Sequence, residues 1–325
     1  MNARFRHGLL CLLAVMALFT VGAPNALSYT DADLRQAVSE NEREKRLSEY
    51  KDNETTLRLK LEVLDLINEN RSRHGLSALK LDILACRVAS KTASEASQGD
   101  YYGHWNLRGE KPYQRYAFAG GVDHVMENAS MIQGGGPMTK DYAQVLSFIK
   151  KMHMAMYNET PPNDGHRKNI LLPLHTHAGL GFSMIENRFR YYELYVDRYL
   201  EFDAVPASVK AGQKVSVSGR VAVPGYGVFF ATVYYEPIPG PMTPSELRGM
   251  GSYPDFTNTS VANLPYWRIE YDDASGKFAF SFPAARSGLY YVHIYIKKGH
   301  TGKEPPSSVS TAGLSPVSGL VIRAD

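Results

Sequence analysis

Cysteine is almost missing from this chain: among 325 residues there are two, Cys11 and Cys86. Cys11 lies in an amino-terminal stretch that reads as a removable leader. Cys86 alone then has no partner for an internal disulfide, so packed cores must hold the fold together. Compact catalytic signatures are missing as well. The sequence has no HExxH, no paired CxxC, no G-x-S-x-G and no Walker loop, which argues against a helix-encoded zinc peptidase, a nucleophile-elbow hydrolase or a nucleotide-binding P-loop. An excess of one charge is missing too. Without Arg4 and Arg6 of the leader, 34 basic residues face 33 acidic ones. That balance offers no electrostatic footprint for nucleic acid or an anionic membrane. No apolar run beyond the leader is long enough to span a bilayer, so no transmembrane segment is expected after cleavage. There is no internal repeat.

The leader, residues 1–28, has a basic start, an apolar core from Leu9 to Val21 and small residues near Ala26 and Ser28. These are the three parts of a secretory signal peptide. Its apolar core, about 13 residues, is shorter than the roughly 20 a spanning helix needs. Export is therefore expected, to the periplasm or the exterior. Residues 29–56 alternate in charge and carry few apolar side chains, which reads as a solvated lead-in, helical or disordered.

From Leu57 the pattern changes. Leu57, Leu61, Leu64 and Ile67 recur at helical spacing, and a second helix over 82–98 has Asp82 as its cap and alanines for close packing. Cys86 falls on the apolar face of that helix and reads as an inert buried thiol. Another helix is expected over 140–157, with Val145, Ile149 and Met152 as its core stripe. The runs HAGLGFSMI and RFRYYELYVDRYLEF then read as a hairpin turning at Glu186-Asn187. Residues 57–202 are thus an α+β unit with its strands late and antiparallel. Over 203–325 only short alternating runs remain, with Phe278, Phe280 and Phe282 in strict alternation and a hairpin turn at 273–276. This predicts an immunoglobulin-like β-sandwich. The Pro/Gly-rich stretch EPIPGPMTPSELRGMGSYPD interrupts it and reads as a long, mobile loop.

Chemistry-bearing residues are dispersed through the α+β unit. His104 follows the second helix, Glu127 lies between glycine clusters, and Glu159 precedes Pro161-Pro162. His166 stands in the first turn of a short helix that Asn163 and Asp164 open and Pro173 closes. His166 reads as a ligand, a catalyst or a structural ring, and Glu127 as a site residue or a loop tie. His124, His153 and His293 have no identifiable partner, and His177 reads as packing. Tyr101, Tyr102 and Trp105 read as cleft lining or core.

The order LDLINENRSRHGLSALKLD, GHW, MEN, DGHRKNILLP, HAGLGF resembles the CAP superfamily (cysteine-rich secretory, antigen 5 and pathogenesis-related proteins), in its bacterial disulfide-free branch, over roughly residues 57–200. The resemblance implies a three-layer αβα sandwich with a broad cleft. The cleft floor would carry two histidines, His104 and His166, and two acids, Glu127 and Glu159, able to hold a divalent metal ion such as Zn2+. Met-Glu-Asn replaces the family's usual Gly-Glu-Asn, and Pro161-Pro162 shifts the spacing from Glu159 to His166. Imidazole is a good zinc ligand, but two leave zinc two ligands short of four. Water can fill those positions, with Glu127 or Glu159 as hydrogen-bond partner or general base. Three functions follow as expectations: a secreted protein binding a metal and an unidentified ligand without turnover, a metal-assisted peptidase, and a lipid or cell-envelope binding module. Small molecule, lipid and protein all stay open as cleft ligands, as does the oligomeric state.

Overall fold

A computed structural model describes residues 29–254, 259–300 and 310–325. The expected signal peptide, residues 1–28, lies outside the described residues. The lead-in forms helix α1 (Asp31–Arg43), capped by a reciprocal Thr30–Asp33 box. The helical reading of the lead-in thus agrees with the structure, but the helix is not solvated all round: Leu34, Ala37 and Asn41 are buried. Arg87, fully buried, donates to the carbonyls of Asn41 at 2.7 Å and Arg46 at 2.7 Å and ties the lead-in to the body. A one-sided apolar stripe of two residues is too sparse to stand out among alternating charges.

The body stacks helices on both faces of a four-stranded sheet, the three-layer αβα arrangement. Its elements are α2 (Glu54–Ser72), β1 (Lys80–Leu81), α3 (Ile83–Gln98), α4 (Pro112–Phe118), β2 (His124–Gln133), α5 (Tyr142–Tyr157), α6 (Gly165–Ile170), β3 (His177–Ile185) and β4 (Arg188–Asp197). The sheet order is β1-β3-β4-β2, with β1 parallel to β3 and the other pairs antiparallel. β4 is central and nearly all buried; β2 is an edge. On one face α2 and α5 bury Leu57, Ile67, Val145, Ile149 and Met152. On the other, α3 lies directly on β3. A Cβ at Gly179 would sit 2.3 Å from Ala85, and one at Gly181 would sit 2.1 Å from Ala89. Glycine on the strand and alanine on the helix let the two backbones approach. Asp82 caps α3 by accepting from Ala85 N–H at 2.6 Å. Cys86 is buried there, and burial pushes its thiol up to about 12.

The second unit is a β-sandwich of two sheets. Its strands are β5 (Leu200–Phe202), β6 (Ser208–Val209), β7 (Lys214–Val221), β8 (Tyr226–Glu236), β9 (Ser260–Pro265), β10 (Glu270–Asp272), β11 (Lys277–Pro283), β12 (Gly288–Lys298) and β13 (Leu320–Ala324). The sheets run β10-β11-β7-β5 and β6-β13-β12-β8-β9. β5 pairs with β7, so the sandwich sheet starts at Leu200, ahead of the boundary expected at 203. Phe278, Phe280 and Phe282 all enter its core, as their alternation requires. The stretch expected to be a mobile loop carries α7 (Pro244–Arg248) and lies against the first unit, with Leu247 buried. Its Pro/Gly content masked a Thr243–Glu246 capping box.

The two units share a packed boundary. Tyr113 of α4 stacks on Tyr291 of β12 at 4.2 Å between ring centroids. The buried Glu236 carboxylate of β8 accepts from the Tyr113 hydroxyl and from Gln114 Nε2 at 2.7 Å. Gly319 N–H donates to Val122 C=O at 2.9 Å. Among the described residues no helix is long and apolar enough to cross a membrane.

Candidate functional site

Two histidine–carboxylate pairs form beside the edge strand β2. The first joins the loop after α3 to the strand: His104 Nδ1 lies 3.0 Å from Glu127 Oε1. Glu127 Oε2 takes Arg115 Nη2 of α4 at 2.5 Å. The Glu127 side chain is 0% exposed, that of Arg115 5% and that of His104 13%. Burial works against the Arg115 charge, yet the adjacent Glu127 carboxylate outweighs it and raises the guanidinium pKa. Arg115 also donates to the carbonyls of His104, at 2.5 Å, and Glu110, at 3.0 Å. One guanidinium therefore fixes both the carboxylate and the loop that presents the ring.

The second pair belongs to α6. His166 Nδ1 lies 2.6 Å from Glu159 Oε1, and Glu159 Oε2 accepts the His166 backbone N–H at 3.0 Å. Glu159 thus answers the free N–H groups of a short helix and orients the ring at once. The His166 side chain is 34% exposed. Asn128, next to Glu127 on β2, links the pairs. Its Nδ2 donates to His166 C=O at 3.2 Å, and its Oδ1 accepts from Asn169 Nδ2 at 2.8 Å.

The chemistry of both pairs is the same. A carboxylate only accepts, so the nitrogen facing it carries the proton and a neutral ring keeps its lone pair on Nε2. That is the outer-shell arrangement seen around metal-bound histidine. Yet among the described residues no three of His, Cys, Asp and Glu converge to hold a metal ion. The four expected residues stand as two pairs, and each acid is engaged with its own histidine.

The other expected residues separate. Tyr101 and Trp105 are buried with the α3 alanines, whereas Tyr102 is partly exposed. Val145 and Ile149 are core. A cavity of about 800 Å³ lies elsewhere, between α1 and the β1 edge, lined by residues including Lys80, His177 and Arg198. It contains none of the four candidates. Burial, with Arg198 adding to it, pushes the His177 ring down to about 4.

Several functional-looking groups escape a reading of the sequence. Arg115 stands between the buried Tyr113 and Tyr116 on α4, a charge in an apolar setting that asks for a partner. Tyr253 of the second unit accepts Glu127 N–H at 3.1 Å, and its ring centroid lies 4.9 Å from that of His104. Nothing local in the sequence marks it. Two of the histidines without an identifiable partner are paired, His153 Nδ1 with Glu193 at 2.7 Å and His124 Nδ1 with Asp197 at 2.8 Å, and His175 Nδ1 shares Asp197 at 2.6 Å. Glu193 and Asp197 recur on one face of β4, and that spacing is the signal.

Comparisons with known proteins bear on this arrangement. The CAP family, described as the cysteine-rich secretory protein family, matches residues 64–196. No curated protein matches the chain. Among solved structures, it is similar to an extracellular protein containing an SCP domain from Bacillus anthracis str. Ames. That match has 23% identity, a TM-score of 0.32, and covers 42% of this chain and 39% of that one. An outer surface protein from Borrelia burgdorferi matches at 18% identity and a TM-score of 0.32, over 42% of this chain and 90% of its own. The match thus spans well under half the length of the Bacillus protein. Residues 64–196 thus match the model of the cysteine-rich secretory protein (CAP) family, ahead of a β-sandwich.

Proposed function

We propose that the chain is an exported binding protein whose CAP cleft takes a ligand through His104 and His166 without turning it over. Export rests on the three-part leader. The observation that carries the binding reading is the matched pairing of each Nδ1 with a carboxylate, which leaves each neutral ring its lone pair on Nε2. Against turnover stands the engagement of both acids. Glu127 has no exposed side-chain surface and bonds Arg115 and His104; Glu159 bonds a ring and a helix terminus. A general base must reach the proton it abstracts, directly or through one water. Neither acid does so without leaving its histidine.

A divalent ion is the second reading, favoured by the same outer-shell pattern. The donor set suits only an open site: His104 and His166 would supply Nε2, with water completing the shell. Bound there, an ion would act as a Lewis acid toward a ligand oxygen. Calorimetric titration of the full chain with zinc chloride tests this. The expected result is uptake in the wild type that is lost in a folded His104→Ala/His166→Ala variant. Full uptake by that variant would place the ion elsewhere. Casein hydrolysis by the wild type, abolished by Glu127→Gln, would overturn the non-catalytic reading and establish the peptidase.

A further inference from the structure

Between β8 and β9 the chain leaves the sandwich and crosses the CAP domain as a strap, residues 237–254. Several contacts anchor it. Met242 N–H donates to Leu107 C=O at 2.9 Å, and Arg248 Nη1 donates to Asp100 C=O at 2.6 Å. Leu247, 1% exposed, sits among Ala89, Ala93 and Ala96 of α3 with Tyr101, Trp105 and Tyr192. Tyr253 closes the run: its hydroxyl takes the Glu127 N–H of the edge strand, and its ring covers His104 and meets Trp105 edge-on at 6.2 Å. Away from these anchors the strap is mostly exposed. The loop beneath is shaped to admit it, for a Cβ at Gly109 would lie 2.4 Å from the Gly240 carbonyl oxygen.

The strap is therefore a peptide lying over α3 and the edge strand, beside one histidine pair. It is read by an alanine-floored pocket for an aliphatic side chain, by a backbone carbonyl that takes a guanidinium, and by an edge-strand N–H that takes a phenol. We propose that this face is a peptide-binding groove and that the strap is its occupant in cis. The fitting partner is a segment of another protein that presents an aliphatic, then a basic, then a tyrosine side chain in the order of Leu247, Arg248 and Tyr253. The proposal rests on reading the His104–Glu127 cleft as the ligand site and names the class of ligand. A tethered occupant acts at an effective concentration near about 1 mM, so a free peptide competes only where the strap is weakened.

The test uses the full chain and a fluorescein-labelled peptide, PMTPSELRGMGSYP, copied from residues 241–254. Two variants release the strap from opposite sides: Leu247→Asp removes its anchor, and Gly109→Ala pushes against Gly240. By fluorescence anisotropy each should bind the peptide at least about ten-fold more tightly than the wild type, and a peptide with its leucine changed to aspartate should not bind. A cooperatively melting variant that binds no better than the wild type would overturn the groove. Where neither variant melts cooperatively, the receptor is the wild-type fold cut at a protease site inserted between Gly249 and Gly251, and the same two results decide. Zinc uptake is measured on the same samples. Loss of peptide binding with zinc intact removes the groove alone; loss of zinc with peptide binding intact removes the metal reading alone.

Discussion

Replacing Glu127 with alanine isolates the physical basis of the site. The carboxylate is 0% exposed and holds Arg115, itself 5% exposed, at 2.5 Å, with His104 Nδ1 at 3.0 Å on its other oxygen. Its removal leaves the buried guanidinium without the carboxylate that pairs with it. Breaking a buried pair from one side costs about 3–5 kcal/mol, whereas an exposed pair is worth about 0–1 kcal/mol. At about 2–4 °C per kcal/mol, the melting midpoint should fall by about 6–20 °C. Glu127→Gln keeps the shape and one acceptor, so its loss should be smaller, about 1.5–3 kcal/mol. A Glu127→Leu/Arg115→Met double variant should recover most of the stability, because a packed apolar pair replaces the ions without stranding either one. Urea denaturation at pH 7 with a paired calorimetric scan measures all three. A Glu127→Ala loss below about 1 kcal/mol would mean that Arg115 is solvated and that the frame around His104 is not as described.

Other outcomes follow from the same packing. Asp197 is fully buried, which alone would raise its carboxyl, but the His175 and His124 rings bonded to it hold it down at about 2. A depressed carboxyl contributes stability that is complete above its unfolded value of about 3.9 and is lost as pH falls through its folded value. Urea midpoints at pH 7, 4 and 3 should fall steeply at the acid end for the wild type and less steeply for Asp197→Asn; equal acid slopes would contradict the assignment. Gly181→Ala should cost about 1–3 kcal/mol or more, because its Cβ would meet the Ala89 backbone at 2.1 Å. A neutral result would mean that α3 is not seated on β3 as described.

Local signals made much of the fold legible. Asp82 with the alanine stripe of α3, the turn at Glu186-Asn187 and the alternating phenylalanines of β11 each act through neighbours a few residues away. The four candidate residues were singled out because short motifs in order marked them. Their pairing was not, for it depends on Arg115 and Asn128 joining a loop, a strand and a helix far apart in the chain. The strap, and the docking of the lead-in helix, went unread for one reason. Both are polar or Pro/Gly-rich segments tied down by one or two apolar residues, Leu247 in one and Leu34 with Ala37 in the other. Composition averages such residues away. His124, His153 and His175 were readable in principle, since acids on the buried strand β4 require donors, but the sequence does not say which ring meets which acid.

Nitrogen-15 NMR of the imidazoles tests the central claim most directly, because it reports which ring nitrogen carries the proton. At neutral pH the neutral rings of His104 and His166 should both be Nδ1–H tautomers, with Nε2 unprotonated and shifting when zinc is added. Nε2–H tautomers at both positions would contradict the account, since the ring face offered to a ligand would then be the wrong one.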